Sequence, residues 1–421
     1  MTMNDKVKVD TPEQAEFRAY CREWLSENRP APFTGQMRTT NHPRRNTLEY
    51  HRWLQDWQKA AYDAGLVGCD YPKEYGGGGR TDCQRIANQE MVRAKTPMLI
   101  GKQGLSLVSP TLIDCGSEFL KTRFIPKALS GEEIWCQGFS EPNAGSDVAN
   151  QETFAEKKGD HFVINGQKVW TSLWDYSDWM ILLTRTDRSH KHNGLTYFCV
   201  PVEPELGKSM ELRPLINVVG GADFAEEFFK DLTIHEKYVI DGVGKGWSVA
   251  LTTLKHERGQ GQFVEPVAGG MSTATKVESD ADKGAKVTSP LVALARKTIR
   301  GGKPAADDPV IRDQIMQQII REKGFDESNR RSAVKGLIDH PMRIPMQFKL
   351  VNSEIAQEQA ALAVDIEGIS ASLRNSANPS PAGSSWGNAY IGSFGMTIAA
   401  GTSEILRNQL GERVLNLPKS K

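Results

Sequence analysis

The spacing of apolar residues changes twice along this chain, and that limits its fold more than any other feature. Up to about residue 133 the apolar positions recur at helical spacing. From Ile134 to about Ile240 the period is close to two, and from Trp247 onward helical spacing returns. The pattern predicts an α+β multidomain protein. Its parts are an N-terminal all-α domain (1–133), a central β-barrel-like domain (134–240) and a C-terminal helical bundle (241–421). The 421 residues suffice for such a set of domains.

Local signals fill in the outline. Thr11-Pro12-Glu13-Gln14 reads as a capping box with proline in the first turn, followed by Phe17, Tyr20, Cys21, Trp24 and Leu25 on one face. Trp53, Leu54, Trp57, Ala60 and Ala61 repeat the pattern, and Gly76 to Gly79 breaks it. In the middle block, Phe162-Val163-Ile164, Asn165-Gly166 and Gln167 to Trp170 read as a hairpin with a type I′ turn. Trp179 to Arg185, Leu195 to Val202 and Glu227 to Ile234 read as further strands. After a polar, lysine- and aspartate-rich connection near 266–290, the isoleucines at 311, 315 and 319 begin a helical stripe. Ile355 to Ile366 and Ile405 to Val414 carry two more.

Composition removes several classes of function. Lys plus Arg and Asp plus Glu both number 52, so no chain-wide charge draws the protein to nucleic acid or acidic lipid. No apolar run is long enough to span a bilayer, and the first ten residues carry no targeting pattern. The 6 cysteines lack metal-site or disulfide-framework spacing and read as reduced thiols of a cytoplasmic protein. His190-Lys191-His192, beside the Asn193-Gly194 turn signal, reads as a solvated loop and not as a metal site.

Nucleotide motifs fail. Gly242 to Gly246 resembles a phosphate loop, but Val239 breaks the spacing, so it reads as a turn before the helix of Trp247. The informative stretch is Trp135 to Asp147, WCQGFSEPNAGSD, in which Ser140 and Ser146 bracket a turn that can offer backbone N–H groups to an anion or ring heteroatom.

Together with Gln167-Lys168-Val169-Trp170-Thr171-Ser172 and the run Ala399 to Leu415, this stretch resembles the acyl-CoA dehydrogenase family, nearest to its bacterial long-chain and steroid side-chain branch. The likeness covers about residues 12–417. It implies an FAD enzyme that removes two hydrogens from an acyl-CoA to give the trans-2-enoyl-CoA. It implies electron-transferring flavoprotein as the onward acceptor, and a homo- or hetero-oligomer, dimer or tetramer. Fatty-acid catabolism by β-oxidation is the implied setting. By resemblance Gln137, Phe139 and Ser140 run along the flavin, and Ser146 lies at the pyrophosphate and the CoA entrance. Trp170 and Ser172 pack on the ring and bond its edge, while Thr402 and Glu404 also contact FAD. Lys255 and Arg258 are implied on the substrate side.

The base is where the chain departs from the commonest form. Many relatives carry glutamate directly before Gly-Thr, where this chain has Ala400. Another subgroup takes the base from an earlier helix, directly before an arginine, and here Glu257-Arg258 fits. Glu257 is therefore the expected base, placed in a dry pocket that raises its basicity, with the Ala400 N–H donating to the thioester oxygen. Two further departures concern a neighbouring subunit. The Arg-x-x-Phe-Gly-type segment is missing after Gly261, and Asp365 replaces a glutamine, with Gly368-Ile369 for Gly-Gly. They suggest an alternative: a non-catalytic partner that completes the FAD site of a heteromeric enzyme.

Overall fold

The computed structural model describes residues 10–35, 48–257, 289–331, 334–337, 340, 343–372 and 385–419. Arg258 and the expected connection up to residue 288 lie outside them. The chain divides into two compact units, one of Met1–Ile216 with Ala222–Ser279, the other of Asn217–Gly221 with Asp280–Lys421.

In the first unit, helices α1 (Pro12–Asn28), α2 (Leu48–Asp63), α3 (Gln84–Arg93), α4 (Ser109–Cys115) and α5 (Glu118–Ser130) precede the strands. The capping box forms as expected: Gln14 N donates to the Thr11 hydroxyl at 3.2 Å, and Thr11 N donates to the Gln14 side chain at 3.1 Å. Phe17, Cys21 and Leu25 are buried on the face that follows.

The strands are β1 (Trp135–Gly138), β2 (Phe154–Lys158), β3 (His161–Ser172), β4 (Trp179–Arg185), β5 (Leu195–Pro201), β6 (Met210–Leu215), β7 (Phe224–His235) and β8 (Val239–Ile240). They form one mixed sheet in the order β6-β7-β3-β2-β4-β5-β8. Strand β1 joins parallel to β4, so the sheet branches and does not close into the barrel expected from the sequence. Strands β4 and β5 are apolar almost throughout because both their faces are covered. Ile181, Leu183 and Cys199 pack with Phe124, Leu129 and Val249 of the helices. Met180, Leu182 and Phe198 face the opposite way and meet Phe162 and Ile164. Helix α6 (Gly246–Glu257) shares the first of these cores and so belongs to the same unit.

Asn165-Gly166 is not a turn. β3 runs straight through it, with a bulge against β7 between Ile164 and Gly166. The Asn165 amide is held by Asp231, donating to its carboxylate at 3.2 Å and accepting from its N–H at 2.9 Å. A side chain at Gly166 would strike Thr153 at 2.5 Å. The β2–β3 hairpin turns instead at Gly159, whose φ is +65°.

The second unit holds α7 (Pro290–Lys297), α8 (Pro309–Arg330), α9 (Arg343–Glu367), α10 (Trp386–Ile398) and α11 (Ser403–Gln409). Ile311 and Ile315 of α8 pack with Ala363 and Ile366 of α9 and Trp386 of α10. Leu406 of α11 packs with Met346 and Leu350. Among the described residues no helix is long and apolar enough to cross a membrane.

Candidate functional site

Strand β1 ends at a glycine for a packing reason. A Cβ on Gly138 would meet the Leu182 side chain at 2.7 Å and the Met180 sulfur at 2.9 Å. Phe139 and Ser140 then leave the sheet half-buried, as Gln137 is within it. The Ser140 carbonyl accepts from Val169 N at 2.9 Å, which lays this segment along β3. Glu141 and Ala144 close a tight turn by exchanging backbone bonds of 3.1 and 3.0 Å. Gly145, Ser146 and Asp147 form an exposed tip.

Under this loop lies a buried charge. Lys168 of β3 has a fully buried side chain. Its Nζ donates to the Phe139 carbonyl at 3.0 Å, to the Glu141 carboxylate at 2.9 Å and to the Gln151 side chain. Glu141 also accepts from the N–H groups of Glu152 (2.6 Å) and Thr153 (2.9 Å). Burial alone would raise the Glu141 carboxyl, but the Lys168 charge and these donors bring it below the usual range. Burial pulls the Lys168 ammonium down to about 8 against the attraction of Glu141. Directly across the ladder from Lys168, on β7, stands the fully buried Glu227. Neither of its oxygens has a hydrogen-bond partner of good geometry. Burial raises its carboxyl to about 8, against the pull of the Lys168 charge.

A second buried cation ties this loop to its neighbour. Arg185, at the end of β4, donates to the carbonyls of Ala149 (2.6 Å) and Gln151 (3.0 Å) on one side. On the other side it donates to those of Asp187 (3.2 Å), His190 (2.9 Å) and Lys191 (3.3 Å). At the exposed tips Lys191 pairs with Asp147 at 2.8 Å.

Trp170 is the outlier of the site. A second bulge, between Val169 and Thr171, turns its backbone to φ +68°. Such a conformation costs a bulky residue about 1–3 kcal/mol. The bulge leaves the indole 55 % exposed, with an edge contact to Phe224 at 5.7 Å. A strained, exposed tryptophan beside the half-buried Ser172, on the strand that carries the Ser140 loop, suits a flat aromatic ligand with a polar edge. The residues therefore fit the isoalloxazine of FAD.

Helix α6 brings the expected base to the same unit. Glu257 is its last residue and is exposed, as is Lys255. The dry pocket expected around Glu257 is thus not supplied by the described residues alone. Beneath it, the Thr253 and Thr111 hydroxyls meet at 3.0 Å, and His256 Nε2 meets the Asp114 carboxylate at 2.9 Å. Both contacts pin α6 to α4. Tyr197 of β5 is fully buried and edges onto Phe139 at 6.1 Å. Burial raises its phenol, and the nearby Glu257 charge adds to the rise.

Ala400, Thr402 and Glu404 belong to the second unit. Ala400 has φ +54° and Gly401 φ +99°. Lys349 Nζ donates to the Gly401 carbonyl at 2.6 Å. Thr402 caps α11, its hydroxyl accepting from Ile405 N at 3.2 Å. Glu404 is exposed in the first turn, and its own backbone N–H and the Thr402 hydroxyl hold its carboxyl below the usual range.

The sequence motifs included Lys168 and Glu141 but gave them no role, and Glu227, Arg185 and Tyr197 went unassigned. One signal was available. Ala225, Glu227 and Phe229 alternate on one face of β7, so parity places a carboxyl inside the protein.

Comparison with known proteins follows the same order along the chain. Residues 11–132, 136–232 and 285–415 match the N-terminal, middle and C-terminal domains of acyl-CoA dehydrogenases. The chain is 34 % identical over 420 residues to the acyl-CoA dehydrogenase IpdE1 of Mycolicibacterium smegmatis, covering 97 % of this chain and 98 % of that protein. It is 28 % identical over 267 residues to the mitochondrial isovaleryl-CoA dehydrogenase of Pongo abelii, covering 61 % and 60 % of the two chains. In fold it is similar to the ChsE4–ChsE5 complex of Mycobacterium tuberculosis, with a TM-score of 0.69 at 23 % identity over 98 % of this chain and 100 % of that one.

Proposed function

The chain belongs to the acyl-CoA dehydrogenase family, an oxidoreductase family, and from that premise we propose that it desaturates an acyl-CoA between C2 and C3 with FAD as cofactor. The observation that carries this reading is Trp170, held strained and exposed beside Ser172 and the Ser140 loop. Trp170 and Phe139 would flank the isoalloxazine ring, with Ser140 and Ser172 bonding its edge. Ser146 and Thr402 would serve the pyrophosphate, and Gln137 and Glu404 would complete the contacts. Bound there, FAD would supply the acceptor for the β-hydrogen, which leaves as hydride.

The rest of the chemistry falls to side chains and backbone. The α-carbon of a thioester is a weak acid, so negative charge building on the carbonyl oxygen needs a donor already in place. The backbone N–H of Ala400 suits that role because it needs no side chain. Glu257 takes the α-proton on its carboxylate, and exclusion of water by bound substrate makes it a stronger base. Lys255, exposed on α6, and Arg258 are the residues we assign to the substrate side from the resemblance alone. Electron-transferring flavoprotein is the proposed acceptor of the electrons.

Anaerobic addition of a panel of acyl-CoAs to the flavin-loaded protein tests this reading. A substrate should bleach the flavin and yield the 2-enoyl product. No bleaching by any chain length or branching overturns it. A second reading, a partner subunit that completes another chain's FAD site, is favoured by Asp365 and by the 93 % exposed Ile369 at the Gly-Gly position. Flavin retained by the chain expressed alone would count against it.

A further inference from the structure

The loop that carries Ser140 and Ser146 is fastened from beneath by two side chains that the proposed chemistry leaves without a role. We propose that Lys168 and Glu141 are positioning residues for the cofactor. Their buried pair locks residues 139–153 onto the strand of Trp170 and Ser172. This rests on the reading that these elements hold FAD.

Three observations support it. First, an ammonium group enclosed in an apolar interior is disfavoured, and a methionine of similar length would fill the space without charge. Lys168 is fully enclosed all the same. Packing alone does not call for it. Second, the partners all belong to one loop. Lys168 donates to the Phe139 carbonyl, the Glu141 carboxylate and the Gln151 side chain. Glu141 accepts from Glu152 and Thr153 N–H. Two side chains thus hold both ends of the segment whose exposed tip is Ser146. Third, Lys168 is two residues from Trp170, so the anchor of the loop and the exposed ring share one stretch of β3.

The remaining charged groups around the pair fit the same reading. Glu227 faces Lys168 across the ladder but makes no ion pair with it, and burial raises its carboxyl against the pull of Lys168. Arg185 approaches the loop through the carbonyls of Ala149 and Gln151 and leaves Glu141 to Lys168. The cation is therefore committed to the loop.

Breaking one half of a buried pair strands the other charge, so the informative variant is the double Lys168→Met/Glu141→Gln, which removes both. Expected is a folded chain with wild-type circular dichroism. Amide exchange at Glu152 and Thr153 should be faster by about tenfold or more, since these N–H groups lose their charged acceptor. FAD titrated into the apoprotein should bind about tenfold more weakly, with a shifted absorption band. Glu141→Gln alone strands the Lys168 charge and should give at least as large a change in the same direction. If both variants exchange and bind FAD as wild type does, the pair is structural only and the proposal falls. Wild-type protein that takes up no FAD, alone or with a partner, would overturn the reading of the site itself. Normal wild-type binding with unchanged variants overturns this inference alone.

Discussion

Trp170 and Ala400 both hold a left-handed backbone that residues other than glycine resist, and the two units enforce it differently. At Trp170 the constraint is a sheet. The strand is paired with β7 on both sides of the bulge, and Lys168 and Val169 next to it are bonded to the Ser140 loop. At Ala400 the constraint is a short link between the end of α10 and the Thr402 cap, with Lys349 gripping the next carbonyl. Strain in a sheet is shared among many cross-strand bonds. Strain in a link depends on a few. The first should survive substitution of its own side chain, and the second should respond to small changes around it.

The largest effect concerns the base of the proposed reaction, which lies at neither strained site. Glu257→Gln should leave flavin bound and slow its anaerobic reduction by substrate about 100- to 10,000-fold, the usual worth of a general base. Reduction at the normal rate would remove Glu257 from the mechanism. Next, Trp170→Gly relieves the backbone while deleting the ring. Thermal melting should show no loss of stability, and FAD affinity should fall about tenfold, in keeping with an aromatic contact of about 1 kcal/mol or more. A destabilised variant that keeps its affinity would mean the indole serves the fold.

A third experiment addresses the rigidity of the sheet. Free glutamate titrates near 4.5, and folded Glu227 near about 8. Between these values the folded chain keeps a proton that the unfolded chain has released. The stability from this group is therefore full below the lower value and is lost as pH rises through the upper one. Glu227→Gln should flatten the decline of the melting temperature between these two pH values. A slope unchanged by the substitution would assign it to other groups. The smallest effect is Ala400→Gly, which relieves φ +54° at some cost in chain entropy. Melting should shift by no more than about 1 kcal/mol in stability. A large loss would show that Ala400 is held by more than its backbone.

Much of the architecture could be read in advance because it depends on periodicity. The α1 cap, the two-sided apolar run of β4 and the isoleucine stripe of α8 are local patterns, and each appears where the spacing puts it. Asn165-Gly166 misled for an instructive reason. The same dipeptide that makes a tight turn also makes a bulge, and only a partner strand decides between them. That partner, Asp231, is 66 residues away. Closure of the sheet was likewise out of reach, because the pairing of β1 with β4 is a long-range choice. At the site, Ser140 and Trp170 could be picked out as motif members. The exposure of Glu257 could not, since a helix end gives no sign of what covers it.

Arg185 holds two loops by their carbonyl oxygens, and every residue type supplies a carbonyl. The side chains on both loops can therefore drift through many substitutions without loosening the clamp. Only the arginine itself is irreplaceable, because lysine lacks the planar fork that reaches several acceptors at once.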